Sequence, residues 1–228
     1  MTTILAGGQP LTLLPEKAAF FASSRTLLVA DAHVGKSTTF RALGVPVPHG
    51  TTGETLAALS ALVATWRARR IVFLGDFLHS AHAHAPATIG ALARWRRAHA
   101  ALDLVLVRGN HDDRAGDPPA HLGMEIVDEP FDCDGFALCH HPRPRRGAYE
   151  LAGHLHPCVS LGGRSFDHLR LPCFWFGDDV GVLPAFGAFT GMHPIRAGAN
   201  DRVFPVADSA IAALRVRVAC AAGDRRAA

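Results

Sequence analysis

Thr26-Leu27-Leu28-Val29-Ala30-Asp31-Ala32-His33 is the stretch on which the fold reading turns: a mostly apolar run ends on a carboxylate and an imidazole. Short apolar runs closed by polar residues read as buried strands. The pattern recurs downstream. Arg70–Leu74 leads into Gly75-Asp76-Phe77-Leu78-His79, Leu102–Val107 into Gly109-Asn110-His111-Asp112, and Gly135–Cys139 into His140-His141. A fifth cluster, Gly153-His154-Leu155-His156, lies in the second half.

Helical patterns separate the first three runs. Glu54–Trp66 places Leu56, Leu59, Leu62, Val63 and Trp66 at helical spacing, and Thr51 with Glu54 matches the S/T-x-x-E capping box. Pro86–His99 has Pro86 in its first turn and Ile89, Leu92 and Trp95 on one side. Alternating strand and helix predict an α/β unit with parallel pairing. After about residue 120, short apolar runs (Met124–Val127, Leu169–Phe176, Val180–Leu183, Arg202–Val206, Ala212–Val218) predict a second, more antiparallel set of strands. No linker or repeat divides the 228 residues, so a single domain spanning 1–228 is expected, with Ala221–Ala228 a frayed tail.

Composition excludes several classes. Hydrophobic residues make up 49% and charged residues 19%, which is globular rather than disordered. The longest stretches without Asp, Glu, Lys or Arg, Phe77–Ala93 and Val180–Ile195, are broken by His, Pro or Gly and supply no membrane span. No basic region precedes the apolar residues of Met1–Pro15, so a cytoplasmic protein is expected. The five cysteines form no CxxC and read as buried thiols. A net charge of +3 does not by itself call for nucleic acid, and 21 Arg against 2 Lys is explained equally by coding bias in an Ala-rich chain. The 14 histidines are the unusual entry in the composition.

Asp-x-His and Gly-Asp are each common as turns, but five polar clusters in this order are hard to explain that way. In open α/β sheets ligands bind beyond the carboxyl ends of strands, so the first four clusters converge if their strands are parallel neighbours. Alternation in an extended segment would put His154 and His156 on one side. Two tempting motifs fail. Gly35-Lys36-Ser37-Thr38 has Ala30 where a phosphate-binding loop needs its first Gly, and His82 with His84 reads as a solvated Ala-rich loop without a third partner.

The ordered set Asp-x-His, Gly-Asp-x-x-His, Gly-Asn-His-Asp, His, Gly-His-x-His resembles the calcineurin-like binuclear metallophosphoesterases across residues 31–156. Leu27–Lys36 running on to Phe40-Arg41 and Gly44–Pro48, together with Leu183–Gly191, is similar to the bacterial DNA-ligase-associated metallophosphoesterases and extends the likeness to nearly the full chain. Ala32 and Met192 depart from that group's commoner residues. The resemblance implies a four-layer α/β/β/α sandwich. It implies one metal held by Asp31, His33 and His156, another by Asn110, His140 and His154, and Asp76 bridging both. His141 is the alternative to His140, because the fourth motif reads His140-His141-Pro142 where many relatives have His-Gly.

Such imidazole and oxygen donors suit Mn, Fe or Zn. Two divalent ions outweigh the carboxylates of Asp31 and Asp76 and leave net positive charge for a phosphate and its attacking water. His111 is the candidate general acid or phosphate-orienting group, with Asp112 fixing its ring. His79 matches a position that contacts phosphate in DNA nucleases of the superfamily, and packing explains it equally well. The nearer resemblance implies manganese, endonuclease action on single-stranded DNA, and DNA repair beside a DNA ligase and a helicase. The basic run Arg143-Pro144-Arg145-Arg146 is either a solvated loop or a contact with the nucleic-acid backbone. A phosphatase or nucleotide pyrophosphatase acting on small phosphoesters is the alternative, and a catalytically silent scaffold the third.

Overall fold

The strand-helix alternation is realised in the computed structural model, which describes residues 1–42, 44–45, 51–143, 147–162, 168–188 and 190–214. The first half runs β1 (Thr2–Ala6), β2 (Gln9–Leu14), β3 (Ala18–Phe21), β4 (Thr26–Val29), α1 (Lys36–Ala42), α2 (Thr51–Trp66), β5 (Arg70–Leu74), α3 (Pro86–Ala98), β6 (Asp103–Val107), α4 (Asn110–Ala115) and β7 (Glu125–Val127). The seven strands form one sheet in sequence order. β4 to β7 are parallel, as the βα alternation predicts, while β1 to β4 are an antiparallel meander that the apolar bursts did not announce. Gly7 and Gly8, both at positive φ, make the tight turn from β1 to β2.

The second half supplies β8 (Phe131–Cys133), β9 (Phe136–Leu138), β10 (Tyr149–Ala152), β11 (Pro157–Gly162), β12 (His168–Phe176), β13 (Val180–Val182), β14 (His193–Pro194), β15 (Arg202–Ala207) and β16 (Ala210–Ile211). They form a second sheet that is the more antiparallel of the two, as expected: β8/β9, β11/β12, β12/β13, β12/β15 and β15/β16 pair antiparallel, while β9/β10, β10/β13 and β11/β14 are parallel. Within Met124–Val127, residues Glu125–Val127 form a strand, but it joins the first sheet. Of Ala212–Val218, Leu214 bridges to Val203, and residues 215–228, including the expected tail, lie outside the described residues. So do residues 46–48 and 144–146, which carry parts of the family-like stretch and of the basic run.

The faces of the first sheet explain the layering. Leu27, Val29, Ile71, Phe73, Leu104 and Leu106 pack with Leu56, Leu59, Leu62, Leu92 and Trp95 of α2 and α3. Leu28, Val72, Leu74, Val105 and Val107, which alternate with them, pack with Phe136, Leu151, Phe174 and Phe204 of the second sheet. Helices, first sheet and second sheet are therefore three successive layers. Two packed mixed sheets with helices on the first are the α/β architecture expected of the metallophosphoesterase type. No described helix is long and apolar enough to cross a membrane. The capping box is not made: Thr51 is the first residue of α2, and its buried Oγ1 has no hydrogen-bond partner among the described residues. His82 and His84 stand in a 3-10 turn, Ala81–His84, whose Ala83 is buried.

Candidate metal centre

The parallel register of β4, β5 and β6 carries Asp31, Asp76 and Asn110 to one rim of the first sheet. Past the strand ends the pairing continues, with His33 N–H donating to Asp76 O at 2.9 Å and Val34 N–H to Phe77 O at 2.8 Å. His140 follows β9 in the other sheet, so the fourth cluster arrives from across the sandwich and not as a parallel neighbour. His154 and His156 lie between β10 and β11, both at positive φ, and not in an extended segment. Phe186 and Gly187 dock on the first motif, Phe186 N–H donating to Ala30 O (2.8 Å) and Gly187 N–H to Asp31 O (3.1 Å).

All seven expected ligand residues meet. Asp31 is fully buried, and its two oxygens accept the His154 N–H at 3.2 and 2.9 Å. His156 Nε2 lies 3.5 Å from Asp31 Oδ1 and 3.4 Å from His33 Nε2. Asp31, His33 and His156 present ligand atoms within 4.8 Å of one another. On the other side, His140 Nε2 is 3.0 Å from Asn110 Oδ1, 3.1 Å from His154 Nδ1 and 3.4 Å from Asp76 Oδ1. Asp76 Oδ2 is 3.9 Å from His33 Nε2, so its carboxylate spans the two groups. His141 Nδ1 is 3.0 Å from Glu129 Oε1, and the residue also forms a candidate ligand group with His140 and His154.

Backbone carbonyls fix the tautomers. A carbonyl only accepts, so His140 Nδ1–H donates to Leu74 O (3.0 Å) and His156 Nδ1–H to Gly191 O (3.1 Å). Their Nε2 atoms therefore carry lone pairs, and these face the oxygens of Asn110 and Asp31. Lone pairs crowded on oxygens repel unless a cation sits among them. Neutral rings are also required for ligation. Burial, reinforced by the neighbouring His156 and Lys36, lowers His33 to about 2, and burial lowers His140 to about 4 against the opposing pull of Asp31. Burial likewise lowers His154 and raises Asp76. The donor set fits divalent metal.

The backbone is bent to deliver these groups. Asp31, His33, Asp76, His154 and His156 all have φ between 44° and 69°, half of the ten described non-glycine residues at positive φ. Each such residue costs of order 1–3 kcal/mol, and such strain clusters at functional sites. A Cβ on Gly75 would land on the His140 ring, and one on Gly109 would come within 2.5 Å of the Asp76 backbone N and Oδ1. Glycine before Asp76 and before Asn110 is thus a matter of space.

His79 and His111 stand beside the centre, with rings stacked 5.2 Å apart. His111 N–H donates to Asp76 Oδ1 at 2.9 Å, and His111 Nδ1–H donates to the His79 carbonyl at 2.7 Å. Its Nε2 lies 3.9 Å from Asp76 Oδ2, on a side chain 32% exposed. Asp112 does not hold that ring. Its carboxylate accepts the Leu78 N–H (3.1 Å) and Gly109 N–H (3.0 Å), because an acid in the first turn of α4 caps the helix start. Its influence on His111 runs through the backbone. Sequence reasoning also missed Glu129, which accepts the N–H groups of His140 and His141 at 2.8 and 2.9 Å. No signal short of the fold links Glu129 to the site.

A nuclease MPE from Pseudomonas putida aligns with 93% of this chain and 99% of its own, at 43% identity and a TM-score of 0.83. The chain belongs to the DNA-ligase-associated metallophosphoesterases. Like its family, this metallophosphoesterase is a metal-dependent phosphoesterase enzyme that binds divalent metal. The Yfce phosphoesterase from E. coli aligns with 84% of this metallophosphoesterase and 99% of its own chain, at 15% identity and a TM-score of 0.38. No family model matches the chain, and no curated protein matches it.

Proposed function

We propose that this metal-dependent phosphodiesterase is an endonuclease acting on single-stranded DNA, with manganese as its ion. In this reading Asp31, His33 and His156 hold one ion, Asn110, His140 and His154 the other, and Asp76 both. When bound, the ions supply Lewis-acid activation of the phosphoryl group and a more acidic attacking water. The chain's own residues do the rest. Leu74 O and Gly191 O keep His140 and His156 in the ligating tautomer. His111, tethered through Nδ1–H to His79 O, leaves Nε2 outside that tether; as the imidazolium it would pass its Nε2 proton to the departing oxygen and be left neutral, with Nδ1–H still on His79 O. His79 sets that tether, and Asp112 holds the turn that aims His111.

The observation that carries the nucleic-acid reading is the 43% identity, over 93% of the chain, to a protein described as a nuclease. Manganese-dependent cutting of both linear and circular single-stranded DNA is expected, alongside hydrolysis of bis-p-nitrophenyl phosphate. Intact DNA in the presence of metal-loaded protein would overturn the reading. A monoesterase rate far above the diesterase rate would mark a phosphatase or nucleotide pyrophosphatase instead. A cytoplasmic place in DNA repair beside a ligase and a helicase belongs to the same proposal; its loss from a cell should raise sensitivity to DNA damage.

A further inference from the structure

The 23 basic residues are 21 arginines and two lysines, and both lysines, Lys17 and Lys36, border one edge of the metal centre. Lys17 occupies the turn between β2 and β3 with φ +64°, uncommon for a non-glycine residue. Its Nζ donates to Phe186 O at 2.9 Å, which leaves two ammonium protons unassigned. The side chain lines a cavity of about 170 Å³ together with His156, Gly187, Thr190 and Gly191. Burial lowers its pKa to about 8, and no acid offsets that shift.

Lys36, the first residue of α1, lines a narrow cleft with His33, Ser37 and Phe40, its Nζ 5.6 Å from the Phe40 ring centroid. Burial lowers its pKa too, again without an opposing acid. Ala188 lines both hollows, and His33 and His156 approach within 3.4 Å. The two hollows therefore lie to either side of the His33–His156 edge, one lysine in each. At a solvated surface Arg serves as well as Lys, as it does elsewhere in this chain. At these two partly buried positions the cation is an ammonium, which meets a phosphate oxygen as a point charge.

A dinuclear centre handles one phosphate. Cations to either side of it, without carboxylates, match a ligand that carries further phosphates at regular intervals. A small phosphoester would leave them unused. We infer that a single nucleic-acid strand passes over the His33–His156 edge, with Lys17 and Lys36 contacting backbone phosphates that flank the cleaved one. The inference rests on the nuclease reading above.

Kinetics of the full chain and of Lys17→Met and Lys36→Met, loaded with manganese, test it. Metal content is checked in each protein. The substrates are a labelled oligothymidylate across a salt series and bis-p-nitrophenyl phosphate. Each variant should lose more kcat/KM on the strand than on the small diester, mainly through KM. The slope of log(kcat/KM) against log[salt] should flatten by roughly 0.7 per lysine removed. If the unsubstituted chain cuts the strand and the variants keep its salt slope and substrate ratio, the inference fails and the nuclease reading stands. If the unsubstituted chain hydrolyses the diester but leaves the strand whole, both fail.

Discussion

His140 Nδ1–H donates to the Leu74 carbonyl at 3.0 Å, a bond that crosses from the end of β9 in one sheet to the end of β5 in the other. It fixes the ring's tautomer and leaves Nε2 for metal, and it exists only because Gly75 offers no side chain there. Gly75→Ala should therefore displace His140, and its φ of +75° adds backbone strain. Metal affinity should fall about 10–100-fold, as for lost outer partners of a metal ligand. Titration calorimetry with manganese measures this; unchanged affinity would mean that His140 does not ligate.

Removing metal should destabilise the fold. Without it, buried Asp31 and Asp76 face imidazole lone pairs at 3.4–3.5 Å. Restoring manganese at a thousand times its Kd should add about 4 kcal/mol of stability, because only the folded chain assembles the site. Thermal unfolding with and without a chelator reads the difference, and coincident curves would contradict the cation requirement.

His111→Ala should slow release of an alkoxide leaving group far more than release of nitrophenolate, which departs without a proton. General acid catalysis contributes about 10²–10⁴-fold. Equal losses on both substrates would assign His111 to phosphate orientation instead.

Alkaline pH should act through a half-buried phenol. Tyr149 donates its O–H to Gly177 O at 2.9 Å, and burial pushes its pKa from 10.0 to about 12. A folded-state pKa above the unfolded one gives stability that is fully present below pH 10 and lost as pH rises through 12. Tyr149→Phe removes that dependence. Unfolding midpoints of the two proteins should therefore converge between pH 10 and 12. Parallel curves would contradict the shift.

Much of the first sheet was legible because strands of this kind announce themselves locally. Thr26–Val29, Ile71–Leu74 and Leu104–Val107 are buried on both faces, so their apolar runs are continuous, and a polar residue of the site follows each within three positions. The N-terminal meander was not, because β1 alternates between exposed and partly buried residues and β2 begins exposed. Residue identity likewise could not say that His154 and His156 leave the extended path. Their left-handed backbone is imposed by bonds such as that from His154 N–H to Asp31 Oδ2.

By itself the sequence determined the donors: which carboxylates, amide and imidazoles exist, in what order, and at the ends of which strands. Tertiary structure decided which lone pairs point inward. That choice depends on carbonyl oxygens of Leu74, His79 and Gly191, groups every residue possesses and no side-chain pattern marks. It decided as well that His140 meets Asn110 across two sheets, since register between layers is set by interdigitating faces and not by neighbours in the chain.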